Sequence, residues 1–129
     1  MNAKDIMTRD IITVTPTMSV KKLAMLLIKS QISGAPVSGR NGKIVGVVSE
    51  ADIVAKKGRD VRAIMSKKVI SIAEETPVEQ IARLMTTHGI KRLPVMRGAE
   101  VVGIVSRADI VNAIALGTHV PLHTPVYDL

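Results

Sequence analysis

The chain contains no cysteine, no tryptophan and no phenylalanine, and Tyr127 is its single aromatic residue. Without cysteine there is no disulfide framework, no thiolate nucleophile and no cysteine-based metal site. Without aromatic rings there is little for nucleic-acid bases to stack on. Hydrophobic residues nevertheless make up 47% of the 129 positions, so the core must be built from Val, Ile, Leu, Met and Ala. Long apolar runs are missing too: no stretch approaches the ~18 consecutive apolar residues of a membrane span. The opening MNAKDIMTRD lacks the apolar segment of a secretory signal. A soluble cytoplasmic protein is the expectation. Catalytic constellations are equally scarce. There is no histidine-based triad, no clustered metal ligands and no glycine-rich phosphate loop, so an enzyme is not expected. His119 and His123 are four apart but have Pro121 between them, and no metal site is expected there.

What the chain does have is basic charge and repetition. Eighteen Lys and Arg against eleven Asp and Glu leave a net charge of +7, a balance that favours anionic partners. These residues are scattered rather than clustered in a run. The repetition is more informative. Residues 5–37 laid on 63–95 match at Ile6/Ile64, Met7/Met65, Ile12/Ile70, Val20/Val78, Ala24/Ala82, Leu26/Leu84, Ile32/Ile90, Pro36/Pro94 and Val37/Val95. After the loss of one residue in a loop, 44–54 falls on 101–111, where VVSEADIV answers to IVSRADIV.

Each copy reads as strand, helix, strand, strand, helix. IITV and VISI are short β-branched runs. Val20, Leu23, Ala24 and Leu27 recur at helical spacing, and Val78, Ile81, Ala82 and Met85 repeat the stripe. Thr76, Pro77 and Glu79 predict a capped start for the second of these helices, and Thr17 is the expected cap of the first. APV and LPV then lead through turns into KIVGVV and EVVGIV, with Asn41-Gly42 suited to an antiparallel hairpin. A second helix follows Ser49 and Ser106. The expected division is repeat 1 at 1–56, a linker at 57–60, repeat 2 at 61–116 and a C-terminal tail at 117–129, ordered only against a partner. A unit of this size buries too little surface to be comfortably stable alone, so the two copies should share a pseudo-symmetric α/β (α+β) fold.

Ser-x-x-Asp before an apolar helix is a relative of the capping box, in which both side chains simply finish the helix end. The surrounding residues point further. Gly46-Val-Val-Ser and Gly103-Ile-Val-Ser end a strand and open a helix, where backbone N–H groups favour anions. Together with DIM, ITV and PV in the same order, twice, the chain resembles the CBS domain family over roughly residues 3–115. Two such β-α-β-β-α repeats packed sheet to sheet resemble a complete tandem pair, the Bateman module.

That resemblance implies a regulatory module that binds an adenosine ligand (AMP, ADP, ATP or S-adenosylmethionine) and changes conformation or assembly. It implies two clefts, with the aspartate of each Ser-x-x-Asp on the ribose hydroxyls. Carried onto this chain, one cleft joins Ser49 and Asp52 to Ile70, Lys91, Arg92 and Pro94. The other joins Ser106 and Asp109 to Ile12, Thr17, Ser33, Gly34 and Pro36. Lys91 and Arg92 stand where the other copy has Ser33 and Gly34, and Lys and Arg make strong charge-assisted bonds to phosphate. The cleft with Ser49 and Asp52 is therefore the expected stronger nucleotide site. The competing reading makes Lys91 and Arg92 solvated surface charges. Met25, Leu26, Ile28, Ile110, Ile114 and Leu116 exceed what one helix face needs, and family members use such surfaces for homodimers. A homodimer acting on an unknown effector protein is expected. The alternative is a basic scaffold or nucleic-acid-binding protein with vestigial clefts.

Overall fold

The structure, a computed structural model, describes residues 1–116; the expectations placed on the tail, with His119, His123 and Tyr127, lie outside the described residues. In chain order the elements are α1 (Ala3–Ile6), α2 (Val20–Ser30), β1 (Gly34–Ser38), a 3-10 turn at Arg40–Gly42, β2 (Ile44–Ser49), α3 (Glu50–Ala55), α4 (Val61–Ile64), β3 (Ile72–Ala73), α5 (Val78–His88), β4 (Arg92–Arg97), β5 (Glu100–Ser106) and α6 (Arg107–Ala115). The mixed α/β class is as expected.

The predicted apolar stripes face inward: Leu23 and Leu27 of α2 are buried, as are Val78, Ile81 and Met85 of α5. The predicted helix starts need correction. Ser19, not Thr17, caps α2, its hydroxyl accepting from the Lys22 N–H at 3.1 Å. Thr76 turns its hydroxyl backwards to accept from the Ala73 N–H at 3.0 Å, and Pro77 takes the cap position of α5. The cause is the same in both copies. A backbone turn precedes each helix, closed by Met18 N–H to Thr15 O at 3.2 Å and by Thr76 N–H to Ala73 O at 3.1 Å, and it consumes the residues that sequence reading assigned to the cap.

The first strand of each copy is shorter than expected. IITV contributes one parallel bridge, Val14 to Val37, and VISI reaches strand geometry only at β3, which pairs parallel with β4 through Ile72↔Val95 and Ala73↔Met96. Val14 bonds on both sides, its N–H to the Pro36 carbonyl at 3.1 Å and its carbonyl from the Ser38 N–H at 2.8 Å. The next rung toward the N-terminus needs an N–H from Pro36, which proline lacks. Pro94 stops the other ladder in the same way. The hairpins pair antiparallel as predicted, Gly34↔Ser49 through Ser38↔Ile44 and Arg92↔Ser106 through Arg97↔Glu100, each with a bulge after the valine of its PV.

The chain forms two compact units that exchange the leading segments of the repeats. One unit, called inner because it takes the middle of the chain, holds Ile11–Val69, and the other, called outer, holds Met1–Asp10 with residues 70–116. Thus α1, which begins the first copy, packs on the sheet of the second. Thr8 bridges Ile104 through bonds of 2.8 and 3.0 Å, and Ser66 bridges Val47 through 2.8 and 2.9 Å. Ala3 and Met7 enter the outer core beside Ile81, Leu93, Val95 and Val105. Val61 and Ile64 enter the inner core beside Leu23, Leu27, Val37 and Val48. Residues 57–60 are packed within the inner unit: Arg59 O accepts from the Val20 N–H at 3.0 Å, and Asp60 caps α4 by accepting from the Ala63 N–H at 3.1 Å.

The outer unit also carries a two-pronged ion pair at its hairpin end. Arg97 Nε and Nη2 donate to the two Glu74 oxygens at 2.8 and 3.0 Å. That bond, reinforced by the charges of Arg97, Lys4 and Arg9, holds the Glu74 carboxyl below its ordinary 4.5. A depressed folded-state value means the stabilisation is full above the unfolded value and is lost as pH falls through the folded one. Glu74→Gln should therefore lower the thermal midpoint near neutral pH, with the gap to the parent closing on acidification below the ordinary carboxylate range. A gap that stays constant down to pH ~2, below both values, would show that the loss is not electrostatic.

Candidate functional site

Both Ser-x-x-Asp segments sit where a strand gives way to a helix. In the inner unit Ser49 ends β2 and caps α3. Its N–H donates to Asp52 Oδ2 at 2.9 Å, and its hydroxyl lies 3.4 Å from the same oxygen. In the outer unit Ser106 ends β5 and caps α6, with Ser106 N–H to Asp109 Oδ2 at 2.8 Å and Asp109 N–H to Ser106 Oγ at 3.2 Å. The plain structural role read from the sequence is therefore present: both aspartates fold back to finish a helix end. Each spends one carboxylate oxygen on the cap and keeps one.

What the remaining oxygen meets differs between the units. Asp52 Oδ1 is held by Lys56 Nζ at 2.9 Å, and the same ammonium reaches the Ile64 carbonyl at 3.1 Å. Among the described residues, Asp109 Oδ1 meets a hydroxyl donor, Thr8 Oγ1, at 3.3 Å. Thr8 is brought there by the exchanged leading segment, and sequence reading missed it because the segment was assigned to the other repeat.

The antiparallel registers decide which other residues lie at these ends. Gly34 opposes Ser49 and the Ser33 carbonyl accepts from the Glu50 N–H at 2.9 Å. Arg92 opposes Ser106 and the Lys91 carbonyl accepts from the Arg107 N–H at 2.9 Å. Directly opposed residues project to the same face of a sheet. Within a unit, then, the neighbours of Ser49 and Asp52 are Ser33 and Gly34, and those of Ser106 and Asp109 are Lys91 and Arg92. The grouping expected from the sequence joins residues of different units, and these neighbours within each unit are additional to it. Pro36 and Pro94 are buried in mid-strand opposite Val47 and Ile104, and Ile12 and Ile70 are half-buried, each in the segment before its first strand pairing. Thr17 is placed elsewhere, at the opposite, hairpin end of the inner sheet, where it lines a groove with Ser38, Gly39 and Arg40.

The electrostatic contrast is sharper than Lys91 and Arg92 alone suggest. The residue after the capping serine is Glu50 in one copy and Arg107 in the other. The outer end carries Lys91, Arg92 and Arg107 besides Asp109, whereas the inner end carries Glu50, Asp52 and Lys56. The contrast is legible in VVSEADIV against IVSRADIV, at a position where the two copies differ between the Ser and Ala they share.

The CBS domain family model matches the chain twice, over residues 3–58 and 61–116. The chain belongs to that family. It is 36% identical over 116 residues to a zinc metalloprotease of Methanocaldococcus jannaschii, covering 90% of this chain and 33% of that protein, so it spans about a third of that relative. A CBS domain-containing protein of Bacillus subtilis, YhcV, is 30% identical over 116 residues, with 84% and 82% of the two chains covered. Among solved structures, the CBS domain pair of the protein MJ0100 in complex with 5′-methylthioadenosine and S-adenosyl-L-methionine superposes with a TM-score of 0.86 at 31% identity, covering 92% of this chain and 98% of that one. CBSX2 in complex with AMP gives 0.84 at 28% identity, covering 89% and 96%.

Proposed function

We propose that this chain is a regulatory module that binds an adenosine-containing ligand, with Ser106, Asp109, Lys91 and Arg92 forming the stronger site. The observation that carries the reading is Asp109 Oδ1, contacted among the described residues by one hydroxyl at 3.3 Å, at a strand end that also carries Lys91, Arg92 and Arg107. A carboxylate oxygen already fixed in orientation by its cap accepts from ribose hydroxyls without further ordering. Lys91 and Arg92 then meet phosphate, or a carboxylate-bearing adenosyl group. Support also comes from the two solved CBS structures, whose ligands all contain adenosine. Ser49 and Asp52, with Ile12, Ser33, Gly34 and Pro36, form the weaker site. The role is binding and signalling rather than catalysis.

Exposed apolar side chains support assembly as a homodimer that passes the ligand state to an effector protein. Met25 and Ile28 of α2 and Leu116 after α6 are 62, 79 and 76% exposed. Leu26, Ile110 and Ile114, expected on that surface, instead pack on the cores. Calorimetric titration with AMP, ADP, ATP, S-adenosylmethionine and methylthioadenosine, with GTP as control, tests the binding. One adenosine ligand should bind with a measurable dissociation constant and GTP should not. Heat from none of them, or equal heats from GTP, would overturn the reading. Light scattering on the same samples should give twice the 13.8 kDa chain mass, and a monomer mass would remove the dimer.

A further inference from the structure

The inner unit holds a second concave site at the hairpin end of its sheet. It is a cavity of about 840 Å³ whose lining includes Thr15, Thr17, Arg40, Arg62 and Lys67. β1 runs from Gly34, opposite Ser49, to Ser38, which lines this cavity, so the two places are separated by roughly 13 Å of strand. No carboxylate among the described residues lines the cavity. Among the described residues, the side chains of Arg40, Arg62 and Lys67 form no ion pair or hydrogen bond.

The duplication supplies an internal control. Lys4 and Arg9 of the outer unit take the repeat positions of Arg62 and Lys67, Arg97 takes that of Gly39, next to Arg40, and Glu74 and Glu75 stand where the inner unit has Pro16 and Thr17. In the outer unit the cations converge on a built-in carboxylate: Arg97 grips both oxygens of Glu74 at 2.8 and 3.0 Å, and Lys4 and Arg9 act on the same group. The inner unit keeps two of these cations, has Arg40 beside the place of the third, and lacks the carboxylate. We propose that the inner-unit groove binds a phosphate-bearing small anion in the place that Glu74 fills in the other copy.

Phosphate fits better than a single carboxylate because of the number of donors. Two guanidinium groups and an ammonium offer more N–H donors than two oxygens can accept, and Thr15 and Thr17 add hydroxyls. The volume exceeds that of one ion, so pyrophosphate is the suitable probe. The inference is independent of adenosine binding at the Ser-x-x-Asp ends.

The test is ¹H–¹⁵N NMR of the full chain at about 20 mM salt, where surface charges are weakly screened, titrated with sodium pyrophosphate or with acetate at matched ionic strength. Saturable shifts are expected at the amides of Thr15, Thr17, Gly39 and Arg40, with those of Ser106 and Asp109 unmoved. Arg62→Gln and Arg40→Gln should each weaken binding at least about tenfold, as loss of a charge-assisted contact does; both residues are exposed, so one variant covers for the other if folding suffers. Pro16→Glu, which supplies the counterpart of Glu74, should abolish the response. Equal shifts with acetate overturn the phosphate assignment. The absence of saturable shifts, shifts confined to Lys91 and Ser106–Asp109, or an undiminished response in Pro16→Glu overturns the site.

Discussion

Gly46→Ala should lower the thermal midpoint by roughly 10 °C, the effect of about 2–3 kcal/mol of overpacking in a chain of this size. A Cβ at residue 46 would lie 2.7 Å from the Ser66 carbonyl oxygen and 2.8 Å from Met65 Sδ. The carbonyl belongs to the backbone bridge that ties the second repeat's leading segment to β2, so relief requires the segment itself to move. Gly103 is the counterpart in the outer unit, and its closest contacts are different in kind: Met7 Sδ and Cγ at 2.5 and 2.9 Å, with the Thr8 carbonyl at 3.1 Å. A methionine side chain can adopt another rotamer more cheaply than a bridged strand can shift. Gly103→Ala should therefore cost less than Gly46→Ala, although its shortest contact is nearer. Chemical denaturation of both variants checks this order. Equal small losses, below about 0.5 kcal/mol as at an ordinary surface site, would show that the exchanged segments do not lie tightly on β2 and β5.

The role of these glycines marks where sequence reading stopped. The hairpins, the helix stripes and the twofold repeat were legible because each leaves a local period or turn signature. Asn41-Gly42 gave the turn, and Leu23, Leu27, Ile81 and Met85 gave the faces. The exchange of leading segments leaves no such trace. Ala3 and Met7 look the same in sequence whether they close their own sheet or the other one, since the partners Gly103 and Gly46 are equally bare. The neighbours within each unit were legible for a different reason. The hairpin register alone puts Arg92 opposite Ser106 and Gly34 opposite Ser49, and both follow from counting back through a turn that had already been predicted. The clefts expected from the family resemblance join residues of the two repeats instead. Thr17, expected beside Ser106 and Asp109, follows Val14 on a segment parallel to β1 and lies within its own unit toward the hairpin.

Asp109→Ala should weaken binding of the adenosine ligand by more than about 100-fold, while Asp52→Ala should change it less than about threefold. Hydrogen bonds to a charged acceptor contribute roughly 1.5–3 kcal/mol each, so two ribose hydroxyls on Asp109 account for at least about 3 kcal/mol, or some two decades in dissociation constant. Asp52 offers less. Its Oδ1 is already paired with Lys56 at 2.9 Å, and a ligand there must displace that ammonium and approach Glu50. Losing the cap also destabilises α6 by about 1 kcal/mol, so Asp109→Asn serves as the companion. It keeps an acceptor for the Ser106 N–H while removing the charge, and should fold near the parent midpoint yet bind at least about tenfold more weakly, the loss of one charged bond. Lys91→Ala and Arg92→Ala separate the ligand classes. They should weaken AMP steeply and leave methylthioadenosine, which has no phosphate, almost unchanged. If Asp52→Ala proves the damaging change instead, the ligand sits at the inner end, and the argument from Arg107 against Glu50 fails with it.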